Sequence, residues 1–90
     1  MGKKKTIRLW CDGASIDIEV VPPDRPMART KGFMEYRDYE RAIERLAKVS
    51  GHDFDFVWEE ADACDGDEYL ETGYDFDGRI RFYRLIKQGA

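Results

Sequence analysis

Residues 6–21 have the sequence TIRLWCDGASIDIEVV and form the clearest structural pattern in the chain. Apolar and polar side chains alternate on both sides of Asp12-Gly13, a dipeptide that favours the tight two-residue turn of a β-hairpin. That turn puts six apolar side chains on one face, in the pairs Cys11 with Ala14, Leu9 with Ile16, and Ile7 with Ile18. The other face pairs Trp10 with Ser15, Arg8 with Asp17, and Thr6 with Glu19. A slip of one residue would exchange the two faces, so the pattern specifies one register.

A proline-containing connection and a helix are predicted next. Pro22, Pro23 and Pro26 end the sheet pairing, because proline has no amide donor, and we expect a loop over residues 22–32. The pattern over Glu35 to Ser50 predicts an amphipathic helix, with apolar side chains at helical spacing at Tyr36, Tyr39, Ile43, Leu46 and Ala47. Gly51 follows the last of these and suits the left-handed conformation that ends a helix.

The second half of the chain predicts three more strands. Residues 52–60 alternate aromatic and acidic side chains and predict a middle strand, and residues 61–67, rich in Asp and Gly, predict a turn. Residues 68–76 and 79–87 predict a second hairpin around Asp77-Gly78. A two-residue turn there pairs Glu71 with Arg84, Glu68 with Lys87, and Leu70 with Leu85. A longer turn over residues 75–78 would shift this register.

The element order β-β-α-β-β-β predicts an α+β fold. We expect one antiparallel sheet, made of the two Asp-Gly hairpins plus the middle strand, with the amphipathic helix packed on one face. Ninety residues suit a single small domain over 1–90, with 1–5 as a basic N-terminal tail and 22–32 as the loop. Charged residues make up 38% of the chain, well above the usual quarter, which indicates a densely charged surface.

The net charge of −4 is unevenly distributed along the chain. Residues 52–78 contain eleven acidic and no basic residues, whereas the segments before and after them are both net basic. We interpret the acidic segment as a surface for a basic partner, because crowded like charges repel one another and attract such a partner. The predicted contacts are Asp53, Asp55, Glu59, Glu60, Asp62, Asp65, Asp67 and Glu68, with Trp58 and Tyr69 as aromatic anchors. The alternative interpretation is a set of solvated strand faces and turn aspartates, partly neutralised by the arginines of the last strand.

In size and charge the chain is similar to small phage and mobile-element inhibitors, including anti-CRISPR proteins and other nucleic-acid mimics. The resemblance covers no motif, so it assigns no residue a role. It implies a non-enzymatic inhibitor that docks its acidic surface on a larger basic protein that handles nucleic acid. We expect it in the cytoplasm (the host cytoplasm if it is phage-encoded) with no membrane association, since its apolar runs are too short to span a bilayer. A homodimer is left open.

Two alternative functions come from other residues. A small nucleic-acid-binding module would use aromatic side chains of the sheet and a basic helix face comprising Arg37, Arg41, Arg45 and Lys48. A divalent-metal-binding domain would use carboxylates around Asp62–Glu71, although their spacing fails the EF-hand pattern and an ordinary turn explains them. We expect neither a metal nor a cofactor.

No motif in the sequence indicates catalysis. His52 is the single histidine, and no nucleophile or orienting partner is signalled near it, so we expect no enzyme. Cys11 and Cys64 lack the close spacing of a zinc site.

Overall fold

The computed structural model describes residues 4–27 and 29–85. This part of the chain forms six strands and two helices: β1 (Lys5–Cys11), β2 (Ala14–Val20), β3 (Thr30–Met34), α1 (Tyr36–Ser50), α2 (Phe54–Glu60), β4 (Asp62–Asp65), β5 (Glu68–Tyr74) and β6 (Ile80–Arg84). The strands form one antiparallel sheet in the order β2-β1-β4-β5-β6-β3. The predicted α+β class is therefore confirmed. None of the helices in this part of the chain is long and apolar enough to cross a membrane.

The β1–β2 hairpin has the predicted register, from Cys11 opposite Ala14 to Thr6 opposite Glu19. Asp12 and Gly13 both have positive φ, of 51° and 88°, as the two-residue turn requires. The alternation places Ile7 and Leu9 on the inner face of the sheet, where both are buried. The sequence pattern therefore fixed both the turn and the buried face of this hairpin.

The sheet curls into a half-barrel whose two edge strands meet. Val21, just after β2, and Phe33, in β3, each donate a backbone N–H to the other's carbonyl oxygen, at 2.8 Å. Gly32 allows this approach, because a Cβ atom there would lie only 2.6 Å from Cγ2 of Val20. The two hydrogen bonds join the first and last strands of the sheet, β2 and β3.

The inner face of the sheet is covered by both helices. From α1 the buried side chains are Tyr39, Ala42, Ile43 and Leu46, and from α2 Val57 is buried. Phe82 of β6 is completely buried and packs edge-on against Tyr39, with 6.0 Å between ring centroids. This single core accounts for the helical spacing of the apolar residues in α1.

The strand predicted over residues 52–60 is wrong, because Phe54–Glu60 is the helix α2. Its N-cap is Asp53, whose carboxylate accepts a hydrogen bond of 2.8 Å from the backbone N–H of Phe56. Phe54, Val57 and Trp58 have the i, i+3, i+4 spacing of a helix face, and Val57 is fully buried. Over so short a segment the aromatic alternation imitates a strand, and the cap at Asp53 identifies the helix.

Two strands were missing from the prediction. The predicted loop over 22–32 is shorter, because Thr30–Met34 forms the edge strand β3 against β6. The turn predicted over 61–67 is reduced to Gly66 and Asp67, because Asp62–Asp65 forms β4 between β1 and β5. Both strands are short and lack a strict apolar alternation. Lys5 of the predicted 1–5 tail belongs to β1, and residues 1–3 lie outside the described residues.

The second hairpin has a longer turn than predicted, which shifts its register by one residue. Tyr74 is opposite Ile80, Leu70 is opposite Arg84, and Glu71 is opposite Tyr83. The five residues between Tyr74 and Ile80 are closed by two backbone hydrogen bonds, from Asp75 to the Arg79 carbonyl and from Gly78 to the Asp75 carbonyl. The predicted partner of Glu68, Lys87, lies outside the described residues.

Candidate binding surfaces

The strand registers divide the predicted acidic surface between the two ends of the sheet. Asp62 begins β4 and is opposite Trp10 near the Asp12-Gly13 turn. Asp65 ends β4 and is opposite Glu68 at the other end of the sheet. The predicted contacts therefore form two groups with different surroundings. The first group surrounds α2, and the second lies where β4 turns into β5.

The first group is named here the α2 acidic surface and comprises Asp55, Glu59, Glu60 and Asp62. All four side chains are exposed. Asp55 and Glu59 are four residues apart and lie on one line along α2, while Glu60 lies one turn beyond Phe56. Asp53 is also exposed, but its carboxylate caps the helix. The solvent-facing side of α2 therefore presents Asp55, Glu59 and Glu60 around one aromatic ring, and Asp62 follows the helix at the start of β4, on the face of the sheet that carries Trp10.

The α2 acidic surface has no basic counterpart nearby. Among the described residues, no basic nitrogen lies within 4.0 Å of a carboxylate oxygen of Asp55, Glu59 or Glu60, or of Asp62. Like charges four residues apart destabilise a helix, as do acids in its last turn. The last turn of α2 contains no basic residue. Asp55 suits the first turn of the helix, but its repulsion with Glu59 and the acids of the last turn cost folding stability.

The buried thiol of Cys11 shows that several of these charges converge. Burial raises the pKa of the Cys11 thiol. The carboxylates of Asp12, Glu60 and Asp62 raise it further. Three acidic side chains, from the β1–β2 turn, α2 and β4, thus act on one point at this end of the sheet. Asp12 also contacts His52, with 2.8 Å between its carboxylate and Nε2 of the ring.

The second group is largely neutralised within the protein. Asp65 lies 3.0 Å from Nζ of Lys5 and 3.4 Å from Nζ of Lys31. Glu68 lies 3.0 Å from the same Nζ of Lys31 and 3.3 Å from Nε of Arg84. The five side chains form one chain of ion pairs across β1, β4, β5, β6 and β3. Asp67, the remaining predicted contact, is exposed in the turn between β4 and β5.

Asp65 has the most perturbed environment of this network. Burial raises the pKa of its carboxyl group, but hydrogen bonds from Lys5 and Lys31, with their charges, lower it by more. The pKa of Asp65 therefore lies below its ordinary value, and the group stays ionised. A carboxylate held in this way is a poor candidate for partner binding, because its charge already has partners.

The two predicted aromatic anchors lie in different places. Trp58 is half-buried in a cluster of rings, with centroids 5.1 Å from Tyr39 and 5.6 Å from Tyr36. Tyr69 is 56% exposed, but it lies on the outer face of the sheet beside Trp10, away from the helices. Neither ring belongs to the exposed side of α2.

Phe56 is the exposed ring that the sequence analysis missed. It is 43% exposed within the α2 acidic surface and stacks on His52, with 4.2 Å between centroids. The strand prediction placed Phe56 on one face with Phe54 and Trp58. A helical interpretation of the same residues turns Phe56 away from both, which is the signal that would have found it.

A second missed feature is the tip of the β5–β6 hairpin. Phe76 has a relative exposure of 105%, so its side chain is fully exposed and does not pack against the rest of the described chain. The turn beneath it is held by Arg79, whose Nη2 donates a 2.6 Å hydrogen bond to Asp75 and whose guanidinium stacks 4.2 Å from the Phe33 ring. The hydrogen bond from Arg79 lowers the pKa of Asp75.

The basic helix face predicted from the sequence is present on α1. Arg37, Arg41, Arg45 and Lys48 are all exposed and follow one stripe along the helix. Arg41 lies 4.0 Å from Asp38, one turn away, which is a weak contact.

Comparison with protein-family models, curated proteins and solved structures finds no match for this chain. The functional interpretation therefore depends on the surfaces themselves. The divalent-metal alternative has no ligand set in the described residues, where no group of three or more His, Cys, Asp or Glu side chains is arranged to hold an ion. Cys11 faces the core and Cys64 the outer side of the sheet, and both are free thiols.

Proposed function

We propose that the protein is a non-enzymatic inhibitor that docks the α2 acidic surface on a basic surface of a larger protein that handles nucleic acid. The observation that supports this proposal is the set of four exposed carboxylates on α2 and at the residue that begins β4 after it, none of which has a basic partner within 4.0 Å in the described part of the chain. This arrangement weakens a seven-residue helix, and a basic partner would remove the cost.

The chemistry of the surface suits a cleft that ordinarily binds phosphates. Carboxylates replace phosphate oxygens as acceptors for Lys and Arg, and their combined field speeds the encounter with a positively charged partner. Phe56 supplies the aromatic contact that the centre of such an interface needs. The α2 acidic surface thus combines the charged rim and the central aromatic contact of a small docking surface.

The tip of the β5–β6 hairpin is connected to α2 through a row of aromatic rings. The rings of Tyr74 and Tyr36 stack with 6.2 Å between centroids, and Tyr36 contacts Trp58 of α2 at 5.6 Å. This continuous row of rings connects the base of the Phe76 turn to α2. Phe76 therefore offers a second exposed aromatic contact, on the hairpin next to these rings.

The test uses two variants with the same change in charge. The first, D55N/E59Q/E60Q/D62N, removes the α2 acidic surface. The control, E19Q/D24N/D38N/E44Q, removes four exposed acids elsewhere. Each variant and the wild type are immobilised for capture from a cell lysate, and bound proteins are eluted with salt or with duplex DNA.

We expect the wild type and the control to retain the same nucleic-acid-handling protein, and the first variant to lose it. Duplex DNA should displace that protein, because carboxylates and phosphates would compete for one basic surface. Equal capture by both variants, or a captured protein that DNA does not displace, would contradict the proposal.

A second candidate function, nucleic-acid binding, is favoured by the exposed basic stripe on α1. It predicts that a labelled DNA duplex binds at low salt and that binding weakens steeply as salt rises. The triple variant R37Q/R41Q/R45Q should abolish this binding, measured by fluorescence anisotropy. Absence of binding by the wild type at low salt would remove this candidate.

A further inference from the structure

We infer that the outer face of β6 binds a phosphate group through Arg29, Arg81 and Tyr83. Arg81 and Tyr83 lie on the face that points away from the helices, because the residues between and before them, Phe82 and Ile80, are buried on the inner face. The site is therefore separate from the α2 acidic surface, and it does not depend on the function proposed above.

Both guanidinium groups stack on one tyrosine ring. The Cζ atom of Arg81 lies 4.7 Å from the centroid of Tyr83, and the Cζ atom of Arg29 lies 5.5 Å from it. Gly73 on β5 makes room for this ring, since a Cβ atom there would lie 3.2 Å from Cε1 of Tyr83. The ring therefore extends over the neighbouring strand, and both guanidinium groups pack on it.

Neither arginine has a carboxylate partner. In the described ranges, no carboxylate oxygen lies within 4.0 Å of a side-chain nitrogen of Arg29 or Arg81. Asp75, whose pKa the charge of Arg81 helps to lower, is already bound to Arg79. Glu71 is opposite Tyr83 in the register but does not reach either guanidinium. Two like charges thus pack on one ring with no carboxylate of the described residues in direct contact, an arrangement that an anion would stabilise.

Unsatisfied polar atoms concentrate at the same place. Within the described chain, the buried side-chain nitrogen and oxygen atoms that lack a hydrogen-bond partner are Nε of Arg81 and Oγ1 of Thr30. Thr30 is the register partner of Tyr83 on β3. Buried polar groups in folded proteins are nearly always satisfied, and a polar ligand beside Tyr83 would satisfy these two atoms.

The backbone of Arg29 supports the same conclusion. Its φ is 66°, a left-handed conformation that is strained for a residue other than glycine. Its carbonyl oxygen accepts a hydrogen bond of 2.8 Å from the N–H of Arg84, which fixes this conformation next to β6. Glycine would adopt this conformation without strain. The presence of arginine at position 29 therefore points to a role for its side chain.

Phosphate is the anion that this geometry favours. The planar fork of a guanidinium matches the paired oxygens of a phosphate, and stacking on a ring orients the fork. The phosphate could be free or part of a single-stranded nucleic acid. In the second case Tyr69 and Trp10, which lie on the same outer face, would stack bases beside it.

The experiment follows the Nε–Hε signals of the arginine side chains by NMR during titration with inorganic phosphate. Sodium chloride at matched ionic strength is the reference. Arg29→Gln and Arg81→Gln remove the two guanidiniums, and Arg25→Gln is the control with the same change in charge at an exposed loop position. Glu71→Gln removes the nearby negative charge.

We expect saturable shifts of the Arg81 signal with phosphate and not with chloride. Affinity should fall about tenfold in Arg29→Gln and Arg81→Gln, stay unchanged in Arg25→Gln and rise in Glu71→Gln, because one hydrogen bond to a charged group is commonly worth about that factor. Equal shifts with chloride, or unchanged affinity in Arg29→Gln, would overturn the site. Arg29 is exposed, so this variant remains informative even if Arg81→Gln fails to fold.

A second titration with a single-stranded oligonucleotide separates the two sources of phosphate. Binding that is tighter than inorganic phosphate and sensitive to the same two arginine variants assigns the site to a nucleic-acid strand. Affinity equal to that of inorganic phosphate assigns it to an isolated phosphate group. An oligonucleotide that binds tightly but is insensitive to Arg29→Gln and Arg81→Gln would contradict the site.

Discussion

Val21 and Phe33 exchange two backbone hydrogen bonds of 2.8 Å each, and these join the two edges of the six-stranded sheet. The residues are twelve positions apart, and the proline-containing loop lies between them. Sheet edges are otherwise open to pairing with other chains. The contact therefore closes the half-barrel at one point and holds β3 against the end of β2.

Replacing Val21 by proline should open this contact. Proline has no N–H, so the Phe33 carbonyl would lose its donor, at a cost of about 1–3 kcal/mol. For a domain of this size, each kcal/mol lowers Tm by about 4–8 °C. Val21→Ala is the control, because it shortens a half-exposed side chain and keeps the N–H. Urea unfolding should find the proline variant clearly less stable than the alanine variant, and equal stability would show that the edge contact contributes nothing.

The Lys5–Asp65–Lys31 contacts predict a dependence of stability on pH. The pKa of Asp65 is lower in the folded protein than in the unfolded chain, so folding is stabilised by its ionised form. This contribution is complete above the unfolded value of about 3.9 and is lost as the pH falls through the folded value. Asp65→Asn should lower the free energy of unfolding at pH 7 by about 1–3 kcal/mol, since it leaves Lys5 without a carboxylate partner and Lys31 with Glu68 alone.

The measurement for Asp65 is the difference in free energy of unfolding between wild type and Asp65→Asn from neutral to acidic pH. Taking the difference removes the contribution of Asp75, whose pKa is also lowered and which both proteins retain. The difference should shrink below about pH 3.9 as Asp65 becomes protonated in the wild type. A difference that is constant across this range would show that the ion pairs of Asp65 do not stabilise the fold.

The fold was predictable from the sequence where local chemistry and packing agree. The Asp12-Gly13 turn sets the register of the first hairpin, and the apolar stripe from Tyr39 to Leu46 sets the face of α1. The pattern failed over α2, where seven residues complete barely two turns and the alternating aromatic residues imitate a strand. It also failed for β3, because its pairing with β6 comes from contacts distant in the sequence.

The sequence shows the acidic segment, but it does not show that the fold separates its carboxylates into two groups. Asp65 and Glu68 contact Lys31 of β3, a strand that was not predicted, so their neutralisation could not be foreseen. The paired arginines beside Tyr83 were hidden for the same reason, since Arg29 adjoins that strand. Charge counts along a chain identify which residues repel one another, while the tertiary contacts determine which charges remain unpaired.

Gly32 should tolerate no side chain while Val20 is present. A Cβ atom at position 32 would lie 2.6 Å from Cγ2 of Val20 and 3.0 Å from the Val21 carbonyl oxygen. Gly32→Ala should therefore lower the free energy of unfolding by about 1–3 kcal/mol, the usual cost of overpacking. Val20→Ala removes the closest atom. The double variant should therefore lose less free energy of unfolding than the two single variants lose together. Additive effects in a double-mutant cycle would show that the two residues do not collide.

Asp53→Ala should test the helix over Phe54–Glu60 directly. The Asp53 carboxylate accepts a 2.8 Å hydrogen bond from the Phe56 N–H, and loss of such a cap costs about 0.5–2 kcal/mol. Asn caps helices as well as Asp does, so Asp53→Asn should retain most of the stability while removing the charge. Urea unfolding should therefore rank wild type and Asp53→Asn above Asp53→Ala. If segment 52–60 were a strand, position 53 would cap nothing, and the alanine variant would match the asparagine variant.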